Sequence, residues 1–263
     1  MIDTGSGNPI VLIPGIQGRW EWMGPTIREI SKRCRVLTFS YDRTPGAQNP
    51  WNERNGRNDG NLDRLVDQVV EVMDAAGVER ATICGVSFGG FIATRFAARF
   101  PERTRALILV SSPTPRWAPN ATLLKYMERP LLSMPLVLPA WFLRMWPEIF
   151  AAEPSLMGRA SFAVRYFTRA LISPLSVTKM SAWAKLKLAT DIVADCARVK
   201  APALLITGEP GLDKVVDLRK SADWMTLIPG TRHVTIERTG HIGLVSKPRE
   251  FADIVCGFMK EQA

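Results

Sequence analysis

Ser87 has the residue type and the surroundings of a nucleophile. The segment 85–90 has the sequence Gly-Val-Ser-Phe-Gly-Gly, and the apolar run 81–84 before it predicts a buried strand. The pattern over 91–100 predicts a helix that ends at Pro101. A serine on such a strand-to-helix turn exposes its hydroxyl, and the glycines let the chain turn without a Cβ clash. The free N–H groups of the helix start face the same place, which suits a nucleophile and the oxyanion that it creates.

Two later segments supply an acid and a base. The run 203–213 predicts a buried strand followed by a loop that bears Asp213. The run 233–241 predicts another strand, with His241 just past its end. The pattern Gly-x-Ser-x-Gly alone is weak, because a chain of this length matches it by chance about one time in ten. The order serine, aspartate, histidine strengthens it, since that order is typical of one class of hydrolytic triad.

With these motifs the chain resembles the α/β-hydrolase fold superfamily, in the subgroup that carries a helical cap. The resemblance extends to the runs 11–18, 100–110 and 248–251, so it covers nearly the whole length. It implies an α/β fold with a mostly parallel, doubly wound sheet and an inserted helical cap. Haloalkane dehalogenases and epoxide hydrolases of this superfamily carry aspartate at the elbow, so the serine disfavours those reactions here.

The resemblance also implies a role for each site residue. Ser87 is the nucleophile, His241 takes its proton and returns it to the leaving group, and Asp213 orients the imidazole. The backbone N–H groups of Ile16 and Phe88 form the oxyanion hole. Neither a cofactor nor a metal ion is expected.

Some of these positions have competing interpretations. Glu209 and Asp217 are close enough to Asp213 to serve as the acid instead, and Asp213 also suits an ordinary turn. His233 opens the last predicted strand, so we expect a structural role for it. Many relatives have histidine where this chain has Pro14, which leaves the geometry of the oxyanion loop open but removes no donor that the chemistry needs.

Between the strands near 110 and 203, an insertion has helical periodicity. We therefore predict a body formed by 1–113 and 197–263, and a cap formed by 114–196. The helices predicted in the cap cover 121–128, with Asn120 as its N-cap, 140–150, opened by Pro139, 154–172 and 177–196.

The start of the chain is short for this superfamily, whose members enter the sheet through an antiparallel hairpin. We expect the first strand to be absent and the second to be a stub, which leaves about six strands. The segment 1–7 lacks the features of a signal peptide. The four cysteines form no CxxC pair, which is typical of reduced thiols and indicates a cytoplasmic protein.

The cap is rich in basic, aromatic and methionine residues. Residues 114–190 hold ten Lys or Arg against three Glu, which accounts for +7 of the net charge of +9. Aromatic and methionine side chains can line an apolar pocket, although packing between helices explains any single tryptophan equally well. The candidates for substrate contact are Trp117, Trp141, Trp146 and Trp183 in the cap and Trp51 in the polar segment 44–60.

The positive charge has three interpretations. It can keep the surface soluble, attract an anionic substrate or acyl carrier, or place the apolar run 130–146 on a membrane surface. That run is interrupted by Pro135 and Pro139, so it does not predict a regular spanning helix. Nucleic-acid binding is disfavoured because no recognition motif accompanies the charge.

These features favour a serine hydrolase that cleaves an ester or thioester of a small, mainly apolar carboxylic acid through an acyl-enzyme on Ser87. The same triad could serve a C–C bond hydrolase or an acyltransferase. The other classes left open are a ligand receptor without catalysis and a hydrolase that works at a membrane interface. The sequence does not specify an oligomeric state.

Overall fold

The computed structural model describes residues 1–41 and 62–262. The polar segment 44–60, with the candidate Trp51, lies outside the described residues. Seven strands form one sheet within them: β1 (Ile2–Thr4), β2 (Pro9–Ile13), β3 (Arg35–Thr38), β4 (Ala81–Val86), β5 (Thr104–Val110), β6 (Ala203–Thr207) and β7 (Arg232–Thr235). Their order across the sheet is β1-β3-β2-β4-β5-β6-β7.

The sheet is mostly parallel and doubly wound, as the sequence predicted. Strand β1 pairs antiparallel with β3 at one edge, from Ile2 opposite Thr38 to Thr4 opposite Val36, and the other neighbours are parallel. The described sheet has one strand more than the six or so that we expected, because these three residues are enough to extend it. The strand order reverses between β2 and β4, and ligands of such sheets bind beyond the carboxyl ends of the strands at that point.

Helices cover both faces of the sheet and form the insertion. In chain order they are α1 (Gly24–Ile30), α2 (Asp63–Ala75), α3 (Gly89–Arg99), α4 (Ala121–Glu128), α5 (Pro130–Ala152), α6 (Leu156–Ile172), α7 (Val177–Leu188), α8 (Ile192–Cys196), α9 (Leu218–Ser221), α10 (Asp223–Leu227), α11 (Gly243–Ser246) and α12 (Pro248–Glu261). Short 3-10 helices cover Trp20–Met23 and Pro101–Arg103.

Two apolar clusters hold these layers together. Along β2, Val11 and Ile13 belong to the cluster that includes α2 and α3, whereas Ile10 and Leu12 belong to the cluster that includes α1 and α12. The alternation follows from the two-residue period of a strand. Because both faces are covered, β4 is buried along its whole length, which is why its sequence is a nearly continuous apolar run.

The insertion between β5 and β6 contains α4 to α8, and Asn120 is confirmed as the N-cap of α4, since its Oδ1 accepts from the N–H of Leu123 at 2.8 Å. One predicted helix start was wrong: α5 begins at Pro130 and continues through Pro135 and Pro139. Each internal proline removes one donor and frees a carbonyl four residues earlier. Both prolines lie on exposed turns of α5, so water can satisfy the freed carbonyls there.

The division into a body and a cap remains a prediction, and we keep the name cap for residues 114–196. Two cap helices contribute to the body's core, because Met145 and Ile149 of α5 and Phe162 and Tyr166 of α6 are buried in the cluster that includes α1 and α12. The cap therefore packs closely against the body.

Candidate active site

The turn after β4 holds Ser87 in the left-handed backbone region, at a φ of 52°. Its N–H donates to the carbonyl of Val110 at 2.7 Å, and its carbonyl accepts from the N–H of Gly90 at 3.0 Å. A Cβ on Gly89 would lie 2.5 Å from the carbonyl oxygen of Pro14, so only glycine allows α3 to approach β2 this closely. The left-handed conformation costs a serine about 1 to 2 kcal/mol, which these surrounding contacts must offset.

The structure brings Ser87, His241 and Asp213 into one hydrogen-bonded line. Nε2 of His241 lies 3.1 Å from Oγ of Ser87, and Nδ1 of His241 lies 3.2 Å from Oδ2 of Asp213. The other carboxylate oxygen, Oδ1, accepts from the backbone N–H groups of Val215 and Val216 at 2.9 and 2.8 Å. Because the carboxylate is an acceptor at Nδ1, that nitrogen carries the proton, and Nε2 is left to accept the proton of the Ser87 hydroxyl.

Opposing effects act on the pKa of His241. Burial disfavours the imidazolium and by itself lowers the pKa. The hydrogen bond and charge of Asp213, together with the charge of Glu148, act in the other direction, and the net effect raises the pKa of His241 above its ordinary value of 6.5. The imidazole is therefore a stronger base than a free histidine side chain.

Two backbone N–H groups close to Ser87 in the chain or at the cavity are free to donate. Within the described residues, the N–H groups of Ile16 and Phe88 have no hydrogen-bond acceptor. Phe88 directly follows Ser87, and Ile16 lies in the oxyanion loop, residues 14–18, which borders the cavity beside the serine. The two N–H groups therefore remain our candidates for the donors of an oxyanion hole.

Aromatic side chains hold the oxyanion loop in place. The hydroxyl of Tyr41 donates to the carbonyl of Pro14 at 2.5 Å, and the ring of Trp183 packs edge-on against Tyr41 with 5.0 Å between centroids. At Gly18, which has a φ of 65°, a Cβ would lie 2.6 Å from the ring of Trp183. Proline at position 14 is therefore compatible with an ordered loop, since its carbonyl is the group that Tyr41 binds.

The competing candidates lie elsewhere. A carboxylate oxygen of Glu209 accepts from the backbone N–H of Arg238 at 2.8 Å, and Asp217 is the N-cap of α9, where it is exposed. His233 lies on β7, with Nε2 2.8 Å from Oγ1 of Thr207. Of the three acids considered, the structure places Asp213 against His241.

A cavity of about 80 Å³ opens beside Ser87 and His241. Its walls are mainly apolar, and among the described residues no Asp, Glu, Lys or Arg side chain lines it. Trp22 and Met23 from the body and Met145 and Tyr166 from the cap form part of its lining. A cavity of this volume accepts a small apolar group.

Our assignment of cap tryptophans to substrate contact needs correction. Trp183 supports the oxyanion loop, and Trp146 is exposed and packs on Phe150. Trp117 lines a neighbouring groove of about 430 Å³, which shares Val215 with the cavity. None of these three lines the cavity beside Ser87. Tryptophans are large enough to contribute to helix packing and surfaces alike, so composition could not distinguish the roles. Trp141 lies on α5, at a position where only the backbone is described.

One residue of the site was not predicted from the sequence. Glu148 of α5 is buried, and its Oε1 accepts from the backbone N–H of Ile242 at 2.8 Å. Burial raises the pKa of Glu148 to about 7, against the opposing effects of the backbone N–H groups of Gly240 and Ile242 and of the charge of His241. A lone acid in the apolar run 145–150 was the available signal, because such a carboxylate must find buried donors when the helix packs.

The described residues contain no group of three or more His, Cys, Asp or Glu side chains arranged to hold a metal ion. Among the described helices, a search for one long and apolar enough to cross a membrane found none.

Comparison with known proteins gives a consistent result. The profile of the alpha/beta hydrolase family matches residues 10–254. A pimeloyl-[acyl-carrier protein] methyl ester esterase from Nitrosomonas europaea is 27% identical over 255 residues, which cover 94% of each chain. A 2-hydroxymuconate semialdehyde hydrolase from Pseudomonas putida is 26% identical over 274 residues, which cover 98% of this chain and 89% of the relative.

The fold has similar solved structures as well. The enol-lactonase from Burkholderia xenovorans LB400 superimposes with a TM-score of 0.78 at 20% identity, over 98% of this chain and 95% of the other. This likeness confirms the fold.

Proposed function

This chain belongs to the alpha/beta hydrolase family and is a hydrolase, and we propose that it is a serine hydrolase that cleaves an ester or thioester of a small, mainly apolar carboxylic acid. The observation that carries the proposal is the line of hydrogen bonds from Ser87 through His241 to Asp213, beside an apolar cavity. Such a line lets a hydroxyl lose its proton as it attacks.

The proposed reaction has two halves. Oγ of Ser87 attacks the substrate carbonyl carbon while its proton moves to Nε2 of His241, and the resulting oxyanion binds the N–H groups of Ile16 and Phe88. When the tetrahedral intermediate collapses, the leaving alcohol or thiol takes the proton from His241 and an acyl-enzyme remains. A water molecule then attacks the acyl carbon, with His241 as base again, and releases the carboxylic acid.

The cavity supports the choice of acyl group. Apolar side chains such as Met145 and Val245 surround the space next to Ser87, so a short hydrocarbon chain would be desolvated there. The methyl ester esterase that resembles this chain along most of its length is consistent with ester cleavage. We propose the cytoplasm as the compartment, since the cysteines are free thiols.

C–C bond hydrolysis is the second candidate, because the relative from Pseudomonas putida is a semialdehyde hydrolase and the same triad can serve that reaction. A diketone-like substrate would distinguish it from ester cleavage. An acyltransferase would form the same acyl-enzyme but pass the acyl group to an acceptor other than water.

The first experiment is labelling with a fluorophosphonate, followed by intact-mass measurement. We expect one adduct on the wild-type protein, none on Ser87→Ala, and turnover of a short-chain ester in a panel of esters, thioesters and diketones. Since a serine is phosphonylated only when it is activated, labelling reports the nucleophile independently of substrate choice. An unlabelled wild-type protein without turnover would indicate a ligand receptor and contradict the proposal.

A further inference from the structure

An apolar stripe runs along the outer side of α5. Its residues are spaced alternately by four and three positions, which places them on one helix face: Leu132, Leu136, Pro139, Leu143, Trp146 and Phe150. Excluding the proline, they expose 40% to 75% of their surface. From first to last residue the stripe is about 27 Å long at the rise of an α-helix. Leu156 and Met157, at the start of α6, are 80% and 83% exposed.

The opposite side of α5 is occupied by the protein. Met145, Glu148 and Ile149 are buried against the body, so the outer stripe is not needed for packing of this helix. Large contiguous apolar surfaces are rare on soluble monomers and mark contact with a membrane or another protein.

Basic side chains accompany the stripe. Arg129 precedes α5 and Arg144 follows Leu143, and both are exposed. The guanidinium of Arg159 lies over the ring of Phe150, 4.2 Å from its centroid, at the end of the stripe. Glu148, one of the three acids of the segment 114–190, is buried. The outer surface of the cap is therefore more basic than the net charge of this segment indicates.

We propose that the α5 stripe is a docking surface for an anionic lipid bilayer, on which the helix lies with its apolar side in the headgroup boundary. Exposed leucines and aromatics with arginines at the margin are what an interfacial helix requires. Self-association through the stripe is disfavoured, because two caps with an excess of five positive charges each would be brought together.

The test is co-sedimentation of the full chain with vesicles of phosphatidylcholine alone and of phosphatidylcholine with phosphatidylglycerol. We expect binding to the anionic vesicles and its loss at high salt. Leu143→Glu should weaken the apparent affinity at least about tenfold, because it removes an apolar group and adds a repelled charge. The matched control Leu188→Glu makes the same change on an exposed residue at the end of α7 and should bind like wild type.

Three outcomes would overturn the proposal: no binding to anionic vesicles, equal weakening by both variants, or a dimer in solution that Leu143→Glu dissociates while vesicles do not bind. The assay reads binding alone, so its result does not depend on the proposed catalysis.

A second inference concerns Glu148, and it comes from different contacts. The His241 loop, residues 236–242, is attached to α5 at two points. Glu148 accepts from the N–H of Ile242, directly after His241, and Nε of Arg238 donates to the carbonyl of Ala151 at 2.9 Å. Arg238 has a φ of 56°, so the loop bends sharply at the residue that makes the second attachment.

We infer that Glu148 is a positioning residue through which the cap holds the His241 loop in register with Ser87. The carboxylate binds the backbone beside the histidine, whose Nε2 must remain within hydrogen-bond distance of the serine. This inference rests on the proposed function, and it assigns to the cap a part in building the triad in addition to covering the cavity.

Two variants of Glu148 distinguish its positioning of the His241 loop from the effect of its charge on His241. Glu148→Gln keeps an oxygen acceptor for Ile242 but removes a charge that favours protonated His241. We expect near wild-type kcat at alkaline pH, with the acid limb of the kcat/KM profile moved to lower pH. Glu148→Ala removes the attachment, and we expect kcat to fall about ten- to hundredfold with little change in KM. Glu128→Gln, which changes an exposed cap acid on α4, is the control.

The result that overturns this inference is an unchanged kcat in Glu148→Ala, since the glutamine variant reports the effect of the charge. If Glu148→Ala does not fold, Glu148→Leu, which fills the space but offers the N–H of Ile242 no acceptor, decides the question by the same change in kcat. Failure of the proposed function is a separate observation, since it would already appear as an absence of turnover in the wild-type protein.

Discussion

Replacement of Ser87 by alanine is expected to reduce kcat for a cleaved ester by about 10⁴- to 10⁶-fold, while the fold remains intact. The hydroxyl is the atom that forms the acyl-enzyme, and no other described hydroxyl lies beside Nε2 of His241. Without it, His241 can at most activate water, and the oxyanion hole supplies the residual rate. Steady-state kinetics with a chromogenic ester, together with thermal unfolding, measures both properties.

A double variant provides the control for this prediction. Because Ser87 and His241 act as one unit, Ser87→Ala combined with His241→Ala should be hardly slower than either single variant. Additive losses would mean that the two residues do not share a step, and substantial ester turnover in Ser87→Ala would assign the nucleophile elsewhere.

The second large effect is expected for Asp213→Asn, with a fall of kcat of about 10⁴-fold, the size found for the same change in another triad. The backbone N–H groups of Val215 and Val216 bind Oδ1 and would select the amide oxygen of the asparagine. The amide NH₂ would then face Nδ1 of His241 and favour the tautomer that has its proton on Nε2. That tautomer cannot accept the proton of Ser87.

The pH dependence of this variant has a defined sign. Loss of the carboxylate removes the hydrogen bond and the charge that raise the pKa of His241, whereas burial, which lowers it, remains. Catalysis needs the neutral imidazole, so residual activity should be lost only at lower pH than in wild type. Asp217→Asn is the matched control, since it changes an exposed N-cap on the next helix and should leave kcat unaffected. If Asp217→Asn were the inactive variant, the acid would be misassigned.

The mostly parallel sheet and the positions of Ser87, Asp213 and His241 could be predicted from the sequence because each depends on a local pattern. Buried strands appear as short apolar runs, and the elbow needs its glycines within three residues of the serine. The acid and the histidine follow the ends of strands, where loops display polar side chains. These features could be predicted because each depends on residues that are close together in the chain.

The contacts between cap and body could not be predicted from local sequence patterns. The roles of Trp183 and Glu148 depend on which face of a cap helix meets the body, and those faces are set by packing between residues far apart in the chain. The start of α5 was predicted wrongly for a related reason. The free-energy cost of a proline inside a helix depends on whether the freed carbonyl is exposed to water. Local propensity cannot report any of these relations.

The left-handed backbone at residue 87 also determines which substitutions of the serine would stabilise the fold. Glycine adopts this conformation without strain, so Ser87→Gly should raise the free energy of unfolding by about 1 kcal/mol relative to Ser87→Ala. A lineage that kept the scaffold only to hold a ligand would gain stability by losing the serine. A nucleophilic hydroxyl explains a serine at a position where glycine would be more stable, and a role in ligand binding alone does not require one.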